Sequence, residues 1–275
     1  MSQICLFYGN CQLGALSNTL KLSNEQIYIP CWTNEMTEEE FTAIIKKADI
    51  IITQPINNNY KDKFYFSTEY IIKTCKESTK IFIFPSLHFE FYYPDLMYRV
   101  LNDGSHLNEP SPYHYKSIID NFSKGIDYIL ENCVDNKNYK TEEELFCNAD
   151  NSITELNSRE ELIDKYGEIN AMVIKIKVSH FIKEHFQQKL LFYSMNHPTP
   201  YILQYISEFI KDILSFGEIN YDFDGLAGSD RCILYSCIQK CVEFDLTLHT
   251  CRLNKYNLEN KIDIIKKYIE CYSHQ

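Results

Sequence analysis

Four short apolar runs alternate with segments of helical spacing through the first third of the chain. That alternation confines the fold to an α/β class built on a parallel sheet. Ile4-Cys5-Leu6-Phe7-Tyr8 closes at Gly9, Gln26 to Ile29 closes at Pro30, Asp49 to Thr53 gives way to Gln54-Pro55, and Lys80 to Phe84 stops at Pro85. Uninterrupted apolar strands of this length suit a sheet buried on both faces. Between them, Leu13, Leu16 and Leu20 recur at helical spacing through Gln12 to Leu22, and Phe66 to Glu77 reads as another helix. Thr37-Glu38-Glu39-Glu40 has the form of a capping box opening a helix that reaches Ala48.

From Ser86 to Tyr115 the chain turns aromatic, with Pro and His interspersed, and reads as a long functional loop carrying short elements. Helical patterns follow. Ile118, Phe122, Ile126 and Ile129 mark one helix, Glu142 to Phe146 and Arg159 to Tyr166 open two others, and Asn148 to Asn157 is the one internal boundary. Lys189 to Ser194 is expected as the last sheet strand, followed by a helix from Tyr201 to Leu214. The remainder reads as helical apart from the turn Asp222 to Gly228. The expected architecture is a parallel sheet flanked by helices, a Rossmann-like three-layer core, with a mainly helical C-terminal half. It forms a single domain over 1–275, or an α/β region over 1–147 and a mainly helical region over 148–275 that completes the sheet.

A formal net charge of -11, with no dense cluster of Lys or Arg, argues against nucleic-acid or anionic-membrane partners. No apolar run approaches the roughly 20 residues of a membrane span, and Met1-Ser2-Gln3 runs straight into the first strand, so the expected location is the cytoplasm. Eleven cysteines, an odd number lying mostly within element patterns, read as reduced and largely buried thiols. Cys232, Cys237 and Cys241 fall at spacings that place them on one face of a Tyr- and Ile-rich helix. No Cys-x-x-Cys or His pair completes a zinc set, so core packing is the expectation and no metal is assigned.

In a parallel sheet the turns after the strands share one edge, and ligands gather there. Four segments fall on it: Gly9 to Gln12, Gln54-Pro55, Ser86-Leu87-His88 and Asn196-His197-Pro198. Gly9 permits a sharp bend. Cys11 then stands at a helix amino terminus, where unpaired N–H groups and the helix dipole favour a thiolate. The same N–H groups and the side-chain amides of Asn10 and Gln12 are the candidate donors to an oxyanion. The competing reading of Cys11 is a small buried thiol beside a tight turn. His197, fixed between Asn196 and Pro198, is the preferred general base, although a lone histidine is more often structural; His88 is the weaker alternative. Gln54, Ser86, His88 and Asn196 are candidate substrate contacts. Asp222, Asp224 and Asp230 lack the spacing of a calcium loop and read as turn and cap residues. The phosphate-loop, dinucleotide-turn and His-Glu-x-x-His zinc motifs are all missing.

With these residues in place, Phe7-Tyr8-Gly9-Asn10-Cys11-Gln12, the early Gln54-Pro55 and the later Asn196-His197-Pro198 resemble the WcbI-type polysaccharide biosynthesis acetyltransferase family. The resemblance implies coenzyme A as cosubstrate and acetyl transfer to a capsular or surface glycan precursor, with Arg99, His114 and Lys116 as candidate partners of the cofactor's phosphates. The arrangement is also similar to SGNH-type esterases and acetyltransferases, to whose nucleophile and base Cys11 and His197 would correspond. The chain departs from that pattern in carrying Cys11 where serine is usual and Ser194 where an acid precedes the His-Pro pair. An esterase using the same thiol is the nearest rival, and a non-catalytic carbohydrate-binding protein stacking sugars on the aromatic loop is a third reading.

Overall fold

The structure, a computed structural model, describes residues 3–23, 25–32, 35–101, 104–169, 172–226 and 228–273. The chain divides into two compact units interleaved in sequence. The first comprises Met1–Leu87, Thr154–Lys183 and Pro198–Leu226, the second His88–Ile153, Glu184–His197 and Ala227–Gln275.

The first unit holds a five-stranded sheet of β1 (Ile4–Gly9), β2 (Glu25–Pro30), β3 (Ile50–Thr53), β4 (Lys80–Ile83) and β5 (Val173–Lys175), in the order β2-β1-β3-β4-β5. All four pairings are parallel, with Gly9 opposite Pro30 and Tyr8 opposite Thr53. This is the α/β class expected from the apolar runs. Leu6, Tyr8, Ile51, Ile81 and Ile83 line one face and pack with Phe41 and Ile45 of α2 (Glu38–Lys47), Ile71 and Ile72 of α3 (Thr68–Thr74), and Tyr166. By the period of two along a strand, Phe7, Ile52 and Phe82 point to the opposite face. Helices also stand in this unit at α1 (Cys11–Thr19) and Pro200–Leu214, which pack on each other.

The capping box is present as read: the Thr37 hydroxyl accepts from Glu40 N–H, and the Glu40 carboxylate accepts from Thr37 N–H at 2.8 Å. Two neighbouring helices are shorter than their spacing predicts. α1 stops at Thr19 because Leu20–Lys21 extends to pair antiparallel with Glu218–Ile219, while the Gln26 side-chain amide donates to the carbonyls of Ser17 and Leu20. α3 begins only after Ser67, whose hydroxyl accepts from Tyr70 N–H, because Phe64–Phe66 forms a separate 3-10 turn.

The expected last strand is a correction. Phe192–Ser194 is extended but lies outside the parallel sheet, whose fifth strand is Val173–Lys175. Three half-buried residues, one of them lysine, carry too little apolar signal to announce a strand. Likewise the run 118–129 is not one helix but Lys116–Asn121 and Ile126–Ile129, divided at Gly125 with φ +84°. The stretch from Asn148 to Asn157 lies inside a continuous helix, Glu142–Glu161, and a boundary between the two units falls within it, between Ile153 and Thr154.

In the second unit, Leu96–Tyr98 and Tyr113–Tyr115 pair antiparallel within the aromatic stretch, and Phe89, Phe91, Tyr92, Phe186 and Phe192 form a ring-on-ring core. Downstream of residue 228 the expected helices give way to the 3-10 turns Ser236–Cys241, Leu246–Leu248 and Asn254–Tyr256, until Lys261–Ser273. The reason is tertiary: main-chain N–H groups here bond outward, Cys232 to Tyr193 O, Ile233 to the Tyr115 hydroxyl and Glu243 to Gln187 O. Cys232, Cys237 and Cys241 therefore do not share one helix, yet all three are buried. All eleven cysteines are unpaired, and among the described residues no cluster of His, Cys, Asp or Glu is placed to hold a metal. Among the described residues, no helix is long and apolar enough to cross a membrane.

Candidate active site

A parallel sheet ordered 2-1-3-4-5 reverses its winding direction between β1 and β3, and the crevice outside the carboxyl ends of those two strands is the general ligand site of such sheets. In the first unit this point is occupied by the Gly9 to Gln12 turn and by Gln54. Asn10 is the N-cap of α1, its side-chain oxygen accepting from Gln12 N–H at 2.9 Å, which makes Cys11 the first helical residue. The Tyr28 hydroxyl donates to Asn10 O at 3.1 Å and holds the turn from the β2 side.

A chain of side-chain amides braces the turn from below. Gln54 Oε1 accepts from Asn10 N–H at 3.1 Å and Gln54 Nε2 donates to Gln12 Oε1 at 2.9 Å. Gln12 Oε1 also accepts from Leu87 N–H at 3.0 Å, and Gln12 Nε2 donates to Leu87 O at 2.9 Å. Asn10 Nδ2 donates to Ser86 Oγ at 3.0 Å, and the Arg159 guanidinium donates to Ser86 O. Gln12 and Gln54 are buried, so this network ties the ends of β1, β3 and β4 into one rigid edge.

These bonds correct two roles. Gln12 is an internal strut, buried with its amide committed to Gln54 and Leu87, and is not presented as a donor to an oxyanion; one hydrogen of the Asn10 amide goes to Ser86. Gln54 and Ser86 belong to the same framework rather than to a substrate-facing surface. Gly9 is needed for room, not for an unusual bend: a Cβ there would meet Gln54 Oε1 at 2.9 Å and the Leu13 side chain at 3.1 Å. Gly14 serves a similar purpose one turn on, where a Cβ would strike the Tyr28 ring.

Cys11 itself is half-buried. Burial pushes its thiol above the ordinary value, the N–H groups of Cys11 and Gln12 pull it down, and the neighbouring Cys31 thiol adds a smaller upward push. The net direction is up. The helix terminus acts on the sulfur as the sequence implies, but desolvation outweighs it and favours the thiol.

His197 lies in the second unit. Its Nε2 is 3.4 Å from the Tyr113 hydroxyl, which donates to Asn196 Oδ1 at 2.6 Å, and Asn196 Nδ2 donates to the Tyr98 hydroxyl at 3.0 Å. Burial lowers the His197 pKa, opposed by the charge and main-chain carbonyl of Asp230. Burial thus favours the neutral ring. Asp230, read from sequence as a turn residue, is thus the acidic neighbour of this imidazole; its carboxylate also accepts from the Ser111 hydroxyl and from Asn254 N–H. Only an aspartate flanking a Gly-rich turn announced it, and proximity to His197 is not encoded in spacing.

The remaining candidates disperse. His88 pairs with Glu90 at 2.9 Å, partly exposed. His114 is wholly buried, with Nδ1 bonded to the Tyr272 hydroxyl at 2.6 Å and Nε2 to Leu107 O at 2.9 Å, so both nitrogens are committed and a phosphate-binding role is corrected to a packing one. Arg99 lies 5.7 Å over the Tyr272 ring. Lys116 starts a short helix and pairs on the surface with Asp120.

A family model described as the polysaccharide biosynthesis enzyme WcbI matches residues 4–216. A solved structure of WcbI, described as a polysaccharide biosynthesis enzyme in a native form without a disulfide bond between coenzyme A and one of its cysteines, shares the fold. Its TM-score is 0.78 at 19% identity, over 100% of this chain and 91% of that one. No curated protein matches the chain.

Proposed function

Because the chain belongs to the WcbI family of polysaccharide biosynthesis enzymes, we propose that it transfers an acetyl group from coenzyme A to a hydroxyl of a glycan precursor, with Cys11 at the reacting centre. The observation that carries this reading is a half-buried thiol at the first position of α1, on the switch-point edge of the sheet, beneath which every neighbouring amide is locked. The chemistry fits the cosubstrate: a thiol, with main-chain N–H groups acting on its sulfur, suits a thioester carbonyl. The similar solved structure is described by the state of a cysteine toward coenzyme A, there without a disulfide between them, and this supports coenzyme A as the cosubstrate.

In the first step a general base takes the Cys11 proton, and the thiolate attacks the acetyl carbonyl. A new C–S bond forms as the bond to the coenzyme A sulfur breaks, and that sulfur leaves with the proton returned. Thioester exchange is close to balanced in energy, so both directions are accessible. In the second step a general base takes the proton of a sugar hydroxyl, whose oxygen attacks the acetyl group as the bond to sulfur breaks and Cys11 leaves as the thiol. Burial lowers the His197 pKa, which suits a base, and raises that of Cys11, which suits a thiol that needs one.

Incubation with labelled acetyl-coenzyme A, followed by peptide mass analysis, is expected to find acetyl on the Cys11 peptide and transfer to an added glycan acceptor. Cys11→Ala and His197→Ala are each expected to lose transfer with little change in thermal unfolding. Full transfer by Cys11→Ala sinks the reading, and release of free acetate without acceptor modification marks an esterase instead.

A further inference from the structure

The aromatic stretch builds a row of rings that ends at His197. In the hairpin, Tyr98 pairs in register with Tyr113, and Val100 bridges His106. The ring centroids of His106 and Tyr98 are 6.0 Å apart, those of Tyr98 and Tyr113 5.7 Å, and those of Tyr113 and His197 5.8 Å. Period two along the strand puts Tyr98 and Val100 on one face. That face is open at its outer end, with Tyr98 38% and Val100 58% exposed and His106 exposed, and it closes inward at Tyr113, which is 4% exposed.

The Tyr98 ring is pinned: Asn196 Nδ2 donates to its hydroxyl, and the same asparagine accepts from the Tyr113 hydroxyl. A large apolar ring on the surface costs solvation, and one held in place by a hydroxyl–amide relay is pre-ordered for a flat, partly apolar ligand. No carboxylate or lysine belongs to the row, which suits a neutral ligand in a chain of net charge -11. A pyranose has the matching character, an apolar C–H face for Tyr98 and hydroxyls at its edge for the Asn196 and Tyr113 groups.

We propose that this row is the acceptor platform: a pyranose stacks on Tyr98 between Val100 and His106 and presents a hydroxyl toward His197. The assignment rests on the acetyl-transfer reading for its catalytic meaning, while sugar binding by the row stands without it.

The test uses the full chain on an array of pyranose mono- and oligosaccharides, with Tyr98→Ala and Tyr98→Phe compared at matched thermal stability. Tyr98→Ala is expected to weaken glycan binding about tenfold, and Tyr98→Phe to keep most of it. In a transfer assay, Tyr98→Ala raises the acceptor KM about tenfold, and Tyr98→Phe restores most of the acceptor affinity. Glycan binding that depends on Tyr98 without any acetyl transfer upholds the platform and removes the transfer reading. Transfer with an unaltered acceptor KM in Tyr98→Ala, or no glycan bound by the parent chain, overturns the platform.

Discussion

At Cys11 two opposing effects meet on one sulfur. The helix start draws the thiol toward ionisation and the surrounding protein drives it back, and burial prevails. Alkylation of Cys11 by iodoacetamide, followed on its own peptide, is therefore expected to be slow at neutral pH and still accelerating above about pH 8.5, the ordinary thiol value. A plateau below that point would show the helix terminus to be the stronger influence. Gly9 is the second residue with a sharp consequence. A methyl group there forces Gln54 Oε1 away and unseats its bonds to Asn10 and Gln12, so Gly9→Ala should cost about 1–3 kcal/mol in denaturant unfolding and diminish transfer as well. An unchanged midpoint would mean that the network yields without loss. The Gly9-Asn10-Cys11-Gln12 turn was legible as the junction of first strand and first helix because strand, glycine and helix start are local signals. The duties of Gln12 and Asn10 were not, since their partners Leu87 and Ser86 lie far along the chain.

Among the elements, the helix Lys261–Ser273 is secured by a titratable contact. Tyr272 bonds His114 Nδ1 while Leu107 O accepts from Nε2–H, an arrangement in which the neutral ring can accept from the Tyr272 hydroxyl. Burial and the nearby Arg99 hold the His114 pKa below its ordinary 6.5. A depressed pKa places the stability it contributes above about pH 6.5, with loss as pH falls through the folded-state value. His197 and His249 are depressed by burial as well. Unfolding by urea at pH 7.5 and 5.5 should show stability falling with acid, and His114→Gln should reduce that fall by on the order of 1 kcal/mol. An identical pH slope in the variant would remove His114 from the account. Element type was readable wherever local signals were strong, as at the Thr37 capping box. It failed where tertiary bonds captured the main chain, as at Leu20–Lys21 and from Cys232 to Tyr256.

On the scale of the whole molecule, a ligand that binds only the folded chain raises its melting temperature by mass action. Coenzyme A at a hundredfold excess over its Kd should add about 2.7 kcal/mol, visible as several degrees in a thermal melt. A shift of zero at millimolar coenzyme A would count against the proposed cosubstrate. The interleaving of two compact units explains much of what the linear pattern concealed, because each unit is assembled from three separated segments. The sequence by itself determined the α/β class, the positions of four sheet strands and the thiol at the end of the first, since alternation, capping and turn residues act within a few positions of one another. Only the tertiary structure decided that Val173–Lys175 supplies the fifth strand, that Gln12 and Gln54 brace the turn, and that Asp230 and Tyr113 neighbour His197. Those facts depend on contacts between distant segments, where burial and hydrogen-bond satisfaction outweigh local propensity.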